Sequence, residues 1–274
     1  RSLNGTTTSK AGAVALTANG GHVTVGGKVD SGTGTTTVTA SQNIVQNADV
    51  VSTGNAVTLT ATAGTLTQGS ATTTSGSTVT LSAQTGAVTG VLTATGALSV
   101  TSATGNVTMA GAATSTNGNT AITATAGSVS LNAAVNGGTG TVSVTAGQGI
   151  TQSAGITTSN GAVTLRANGG VIDTTAAITT SGAQIDVEAS GNVTMSGNAL
   201  LNSSSTGSSG TIRLVSGAAV TTTMLSADAA ITVTAAQGVT LNGTTTSKAG
   251  AVTITANGGH VTVGGKVDSG TGTT

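Results

Sequence analysis

At 274 residues the chain has room for one or two globular domains or for a stack of about a dozen short coils, and composition separates these options. It holds 43 glycines but no proline, cysteine or aromatic residue, which excludes a bulky aromatic core, a disulfide framework and thiolate metal sites. Seven Lys plus Arg balance seven Asp plus Glu, leaving no electrostatic footprint for nucleic acid or anionic lipid, and no run approaches the roughly 18 apolar residues of a membrane-spanning helix.

Residues 241–274 repeat residues 3–36 with two differences, Ala15 becoming Thr253 and Leu16 becoming Ile254, so at Leu241 the chain returns to its own beginning at Leu3. Inside this large repeat lies a period of about 21 to 22 residues, marked by segments such as Val57-Thr58-Leu59-Thr60-Ala61 followed by a glycine turn. The nested periods predict an all-β parallel solenoid, a β-helix with about three short strands per coil, continuous over 1–274. Right-handed winding follows from the rule for parallel crossovers.

The first strand of successive coils carries the inward pairs Val14/Leu16, Thr36/Val38, Val57/Leu59, Val79/Leu81, Leu98/Val100 and Thr120/Ile122. The series continues with Val142/Val144, Val163/Leu165, Ile185/Val187, Ile212/Leu214, Ile231/Val233 and Val252/Ile254. Because strand side chains alternate between faces, the residues between and after these pairs point outward. Thr37, Thr39, Thr58, Thr60, Thr232 and Thr234 belong to that exposed rank. Threonine suits it, since its branching favours a strand and its hydroxyl suits water.

A glycine-rich corner leads to a second strand with Val23/Val25, Ile44, Leu66, Val88, Val107/Met109, Val129/Leu131, Ile150, Val193/Met195, Val239/Leu241 and Val261/Val263 inward. A third, less regular segment offers Val29, Val135, Ile156, Ile178 and Leu200. Two steps are shorter than the rest, Leu81 to Val100 and Leu214 to Val233, and predict tight corners near Val88–Thr93 and Ala218–Ala227. The step from Val187 to Leu214 is longer than any other and predicts a projecting insertion across 202–210. Neither end carries a polar cap, and the chain opens on Arg1-Ser2 with no signal peptide, as expected of a piece cut from within a longer polypeptide.

Few residues invite chemistry. His22 and His260 share one position in the duplicated coil and have no neighbouring metal ligand in sequence. Asp186 and Glu188 lie two apart on one strand; Arg166 aligns with Glu188 one coil earlier, and Arg213 with Asp186 one coil later, which reads as a compensated charge cluster. A glycosidase-like pair would need its carboxylates on opposite sides of the scissile bond. Gly26-Gly27-Lys28-Val29-Asp30 and its copy at 264–268 only partly match a calcium-binding turn, and no phosphate loop is present. No catalytic, cofactor-binding or metal site is expected. Sequons at Asn4, Asn106, Asn192, Asn202 and Asn242 arise readily in an Asn-, Ser- and Thr-rich chain. The Thr-x-Thr ranks resemble the faces of β-solenoid ice-binding proteins, which makes water or glycan binding the alternative function.

The signatures Gly-x-Val-x-Leu-x-Ala and Gly-Asn-Val-Thr-Met, seen around Asn55–Ala61, Gly105–Met109, Gly161–Ala167 and Gly191–Met195, resemble the repeat region of filamentous haemagglutinin-like exoproteins. These are large bacterial adhesins exported by two-partner secretion. The resemblance implies an extracellular or cell-surface shaft that gives length and rigidity and contributes to adhesion, aggregation or biofilm cohesion. It implies as partners the adjacent repeats of the same polypeptide, laterally associated copies and host-surface or matrix glycans. A polysaccharide-degrading enzyme on a β-helix is the third reading, and would require a larger cluster of charged residues than Asp186 and Glu188 supply.

Overall fold

Alternating valine and threonine give this chain a period of two and almost nothing with a helical period, and the structure follows that pattern. It is a computed structural model that describes residues 1–205, 207 and 209–274. Among the described residues the regular elements are all short β-strands, arranged as three parallel sheets in a solenoid of about twelve turns. The chain forms two compact units, 1–134 and 135–274.

In the first unit, the five-residue strands Val14–Ala18, Thr36–Ala40, Val57–Ala61, Val79–Ala83, Leu98–Ser102 and Thr120–Ala124 pair in parallel, each with the strand one coil on, and form the first face. The pairing is residue for residue: Val57 faces Val79, and Leu59 faces Leu81. Shorter strands such as Val23–Val25 and Ile44–Gln46 make the second face, and Val29–Asp30 and Val50–Val51 the third. The second unit repeats this plan, with Val142–Ala146, Val163–Ala167, Ile185–Ala189, Ile212–Ser216, Ile231–Ala235 and Val252–Ala256 on its first face. The duplicated segments adopt the same three strands in both places.

Each coil lends its inward side chains to a core shared with its neighbours. Val57, Leu59, Val79, Leu81, Val163, Leu165, Ile185, Val187, Ile231 and Val233 are buried, and removing each such side chain from water stabilises by roughly 1.5–3 kcal/mol. Val14 is buried, while Leu16, in the first coil, points inward but is covered from one side only and stays half-buried.

Both short coils have one layout. Inward residues fall at 79, 81, 83, 87, 89, 92 and 94 in the first and at 212, 214, 216, 220, 222, 225 and 227 in the second. The second and third strands are joined by one residue, Gly90 or Thr223. At Gly90 a Cβ would lie 2.4 Å from Thr72 O and 2.5 Å from Gly69 O, so only glycine fits between coils there.

One expected core residue in the first of these coils is corrected. Val88 is 37% exposed, because the corner between Ala83 and Ala87 is short, and the alternation puts Ala87 and Thr89 inside. Leu200 is corrected likewise. The corner after Met195 is longer than in the preceding coil, so Leu201 stacks between Ile178 and Leu225, while Leu200 lies beside Met224 on the outside. Of the expected 202–210 insertion, Thr206 and Ser208 lie outside the described residues.

Several inward polar residues are tied within the wall, while the buried hydroxyls of Ser102, Thr120, Ser203, Thr222 and Thr245 have no hydrogen-bond partner among the described residues. Ser31, Ser115, Ser247 and Ser269 occupy one corner of their coils, and each hydroxyl donates to the carbonyl of the third residue on, at 2.6–2.9 Å. Thr158 and Thr180 do the same. A turning backbone carbonyl is thereby satisfied from inside the core.

Candidate functional site

The outward side of the first face carries two contrasting surfaces. In the first unit, the outward positions of its strands hold only Thr, Ser and Ala, from Ala15 and Thr17 to Ala121 and Thr123. Thr37 and Thr39 stand in register with Thr58 and Thr60, and these with Thr80 and Ser82. In the second unit, Thr232 and Thr234 face Thr253 and Thr255 on one side but Arg213 and Val215 on the other.

The interruption is a four-charge ladder over three consecutive strands. Direct register opposes Arg166 to Glu188 and Asp186 to Arg213. Arg166 grips Glu188 with both terminal nitrogens, at 3.0 and 3.3 Å. Nη1 of Arg213 donates to Asp186 at 2.7 Å and to Glu188 at 3.1 Å. The hydrogen bond to Asp186, then that to Glu188 and the attraction of both carboxylates, raise the Arg213 pKa against the opposing effect of partial burial. Beside the ladder lies a shallow hollow of about 280 Å³, lined by Arg166, Asn168, Glu188, Ser190 and Val215 among others.

This arrangement is poor in free reactive groups. Each carboxylate of the ladder is engaged by a guanidinium, and the pair shares one flat face, so no acid and base flank a common point. His22 is exposed, and its Nδ1 accepts the Asn43 N–H at 3.3 Å. Asp30 accepts from Lys28 Nζ and from the Gly32 N–H, both at 2.9 Å, which accounts for the calcium-like turn as a local ion pair and Asx turn. Among the described residues no group of three His, Cys, Asp or Glu side chains is placed to hold a metal ion, and no helix is long and apolar enough to cross a membrane. Sequon residues Asn106 and Asn192 accept backbone N–H groups from the next coil, at 2.9 and 3.1 Å.

Two polar features escape a reading based on apolar alternation. Gln46 and Gln68 are buried and stacked in register. Gln68 Nε2 donates to Gln46 Oε1 and to Thr74 Oγ1, both at 2.7 Å, while the Gly90 N–H donates to Gln68 Oε1 at 2.9 Å. The only sequence signal is their position, since Gln46 and Gln68 each follow an inward apolar residue by two. Asp228, 6% exposed, accepts from the Ser205 N–H at 2.6 Å and pairs with Lys248 Nζ at 2.6 Å, holding the base of the insertion. Its signal is a carboxylate placed one coil after a loop rich in serine.

Compared with known proteins, the chain matches no family model, no curated protein and no solved structure.

Proposed function

We propose that this chain is a structural shaft segment of a bacterial secreted or cell-surface adhesin of the filamentous haemagglutinin-like kind, and that it is not an enzyme. The observation that carries the reading is the recurrence of 3–36 as 241–274, an offset that equals eleven coil steps. The two end segments differ at two positions, whereas neighbouring coils differ at most of theirs, so whole units have been duplicated and added length is the useful product. Parallel coils that pair residue for residue support the same reading, because such a stack is extended by adding coils without redesigning a core. The engaged carboxylates of the ladder support a non-catalytic role. Partners on this reading are adjacent repeats, laterally associated copies and host-surface or matrix glycans, outside the cell.

Electron microscopy and diffraction from a protein with several of these eleven-coil units in tandem test this. The expected result is a rod with an axial repeat of about 4.8 Å and a superperiod of about 50 Å, the advance of eleven coils. A rounded particle without an axial repeat overturns the proposal.

The in-register threonines at 37, 39, 58 and 60 favour a second reading, binding of ice or glycan through the flat hydroxyl rank. Thermal hysteresis or glycan-array binding that disappears on Thr37→Lys and Thr58→Lys would support it over a passive shaft.

A further inference from the structure

Among the described residues, the four charges of the ladder are the only charged residues on the outward positions of the first-face strands, and they sit where the chain is longest between coils. Asp186 and Glu188 precede the long step, Arg213 follows it, and Arg166 lies one coil before. We infer that this ladder is a register lock, in which Asp186 selects the correct alignment of strand Ile212–Ser216 on strand Ile185–Ala189.

The need for a lock follows from the period of the strands. A slip by one position turns the core outward, but a slip by two keeps every side chain on its own face. The other coils, with steps of 19 to 22 residues, have little chain to feed such a slip. The long step from Val187 to Leu214 supplies it. If the strand draws two positions from the insertion, its inward set becomes Gly210, Ile212 and Leu214 in place of Ile212, Leu214 and Ser216. Glycine replaces serine and the two large apolar residues stay inside, so apolar burial alone discriminates weakly between the registers. The opposite slip would have to draw on the corner between Ser216 and Val220, which holds only Gly217, Ala218 and Ala219.

Charge separates the two feasible alignments. In the observed one, Arg213 reaches both Asp186 and Glu188 while Arg166 holds Glu188. In the slipped one, Arg213 lies opposite Glu188, Arg166 competes for the same carboxylate, and Asp186 faces Thr211 without a cation. Asp186 therefore reports the register, whereas Arg166 is paired in either. From the following coil, Asp228 holds the Ser205 N–H and fixes the near end of the insertion, which limits how much chain it releases.

The test compares two substitutions that each remove one ion pair from the full chain. Asp186→Thr is expected to give two sets of backbone amide signals for 212–216 in NMR spectra, with the minor set above a tenth of the total. Arg166→Thr is expected to give one set. Deleting residues 206–209 in the Asp186→Thr background brings the step close to its neighbours in length and is expected to restore a single set. A single set in Asp186→Thr, equal doubling in both variants, or doubling that survives the deletion would each overturn the lock. Loss of only stability, equal in the two variants, would mean that the ladder is an ordinary pair of cross-strand contacts.

Discussion

The sequence Val-Thr-Val occurs in two equivalent coils with opposite fates. Val23 and Val25 are 2% and 0% exposed, lying between Ser2–Leu3 on one side and Ile44–Gln46 on the other. Val261 and Val263 adopt the same strand, yet they are 45% and 52% exposed, because theirs is the last strand of its sheet and pairs on one side only, with Val239–Leu241. The local conformation is the same and the burial is not. A strand in this fold is therefore specified by its own residues, whereas its share of the core is supplied by the next coil. This is the nearest-neighbour energetics of a repeat protein, seen inside one chain.

The sharpest way to break the comparison is to place a charge in both copies. Val25→Asp buries a carboxylate between two coils and is expected to cost about 4 kcal/mol or more, whereas Val263→Asp is expected to cost less than about 0.5 kcal/mol. Urea unfolding of the two variants measures the difference. Equal losses would mean that the local strand, and not its cover, sets the energetics.

A smaller effect asks whether cover must also satisfy hydrogen bonds. Gln68→Ala leaves the Gly90 N–H unpaired inside the core and takes one contact each from Gln46 and Thr74, which keep their own hydrogen bond, with an expected loss of about 1–3 kcal/mol. Replacing Gln46 and Gln68 together by Leu removes most of the network at once and should lose less than Gln68→Ala. If the double variant is the worse, the stacked glutamines contribute net stability beyond avoiding unpaired groups.

How far the fold was legible in the sequence depends on which of these levels is read. Alternation repeated at the coil period determines the strands, so the first-face pairs, the parallel stacking and the Arg166–Glu188 and Asp186–Arg213 alignments are readable from spacing alone. Corners are less readable, since one residue more or less there changes which neighbour points inward. Val88 looked like a core residue because it is a valine, but the short corner after Ala83 gave that place to Ala87. Leu200 and Leu201 are chemically equal, and only the length of the preceding corner chooses between them. Gln46 and Gln68 were hidden for another reason: a glutamine enters a core only if partners from other coils meet it, and those partners are distant in sequence.

The two differences between the duplicated segments offer a finer measurement. Ala15→Thr with Leu16→Ile makes 3–36 identical to 241–274. Position 15 points outward and position 16 exchanges one aliphatic side chain for another of equal volume, so the urea midpoint should move by less than about 1 kcal/mol in equivalent free energy. A larger shift would show that the copies are tuned to their places.

The smallest expected effect concerns what the copies share. Asp30 is held by Lys28 and the Gly32 N–H, and Asp268 by Lys266 and the Gly270 N–H, within turns whose glycines have φ of 56° and 57°. The ammonium first, and the backbone N–H second, hold both carboxyls below the ordinary aspartate value. A carboxyl whose pKa is lower in the folded chain than in the unfolded one adds stability above about pH 3.9 and loses it as pH falls through the folded value. Each group is exposed enough for salt to weaken the pair, so the contribution is small and should shrink further in high salt. Because every partner lies close by in the same turn, coverage should not matter, and NMR titration should find the two carboxyls depressed alike. An Asp268 with an ordinary pKa beside a depressed Asp30 would mean that even this turn needs a coil above it, and the division between local conformation and supplied burial would have to be redrawn.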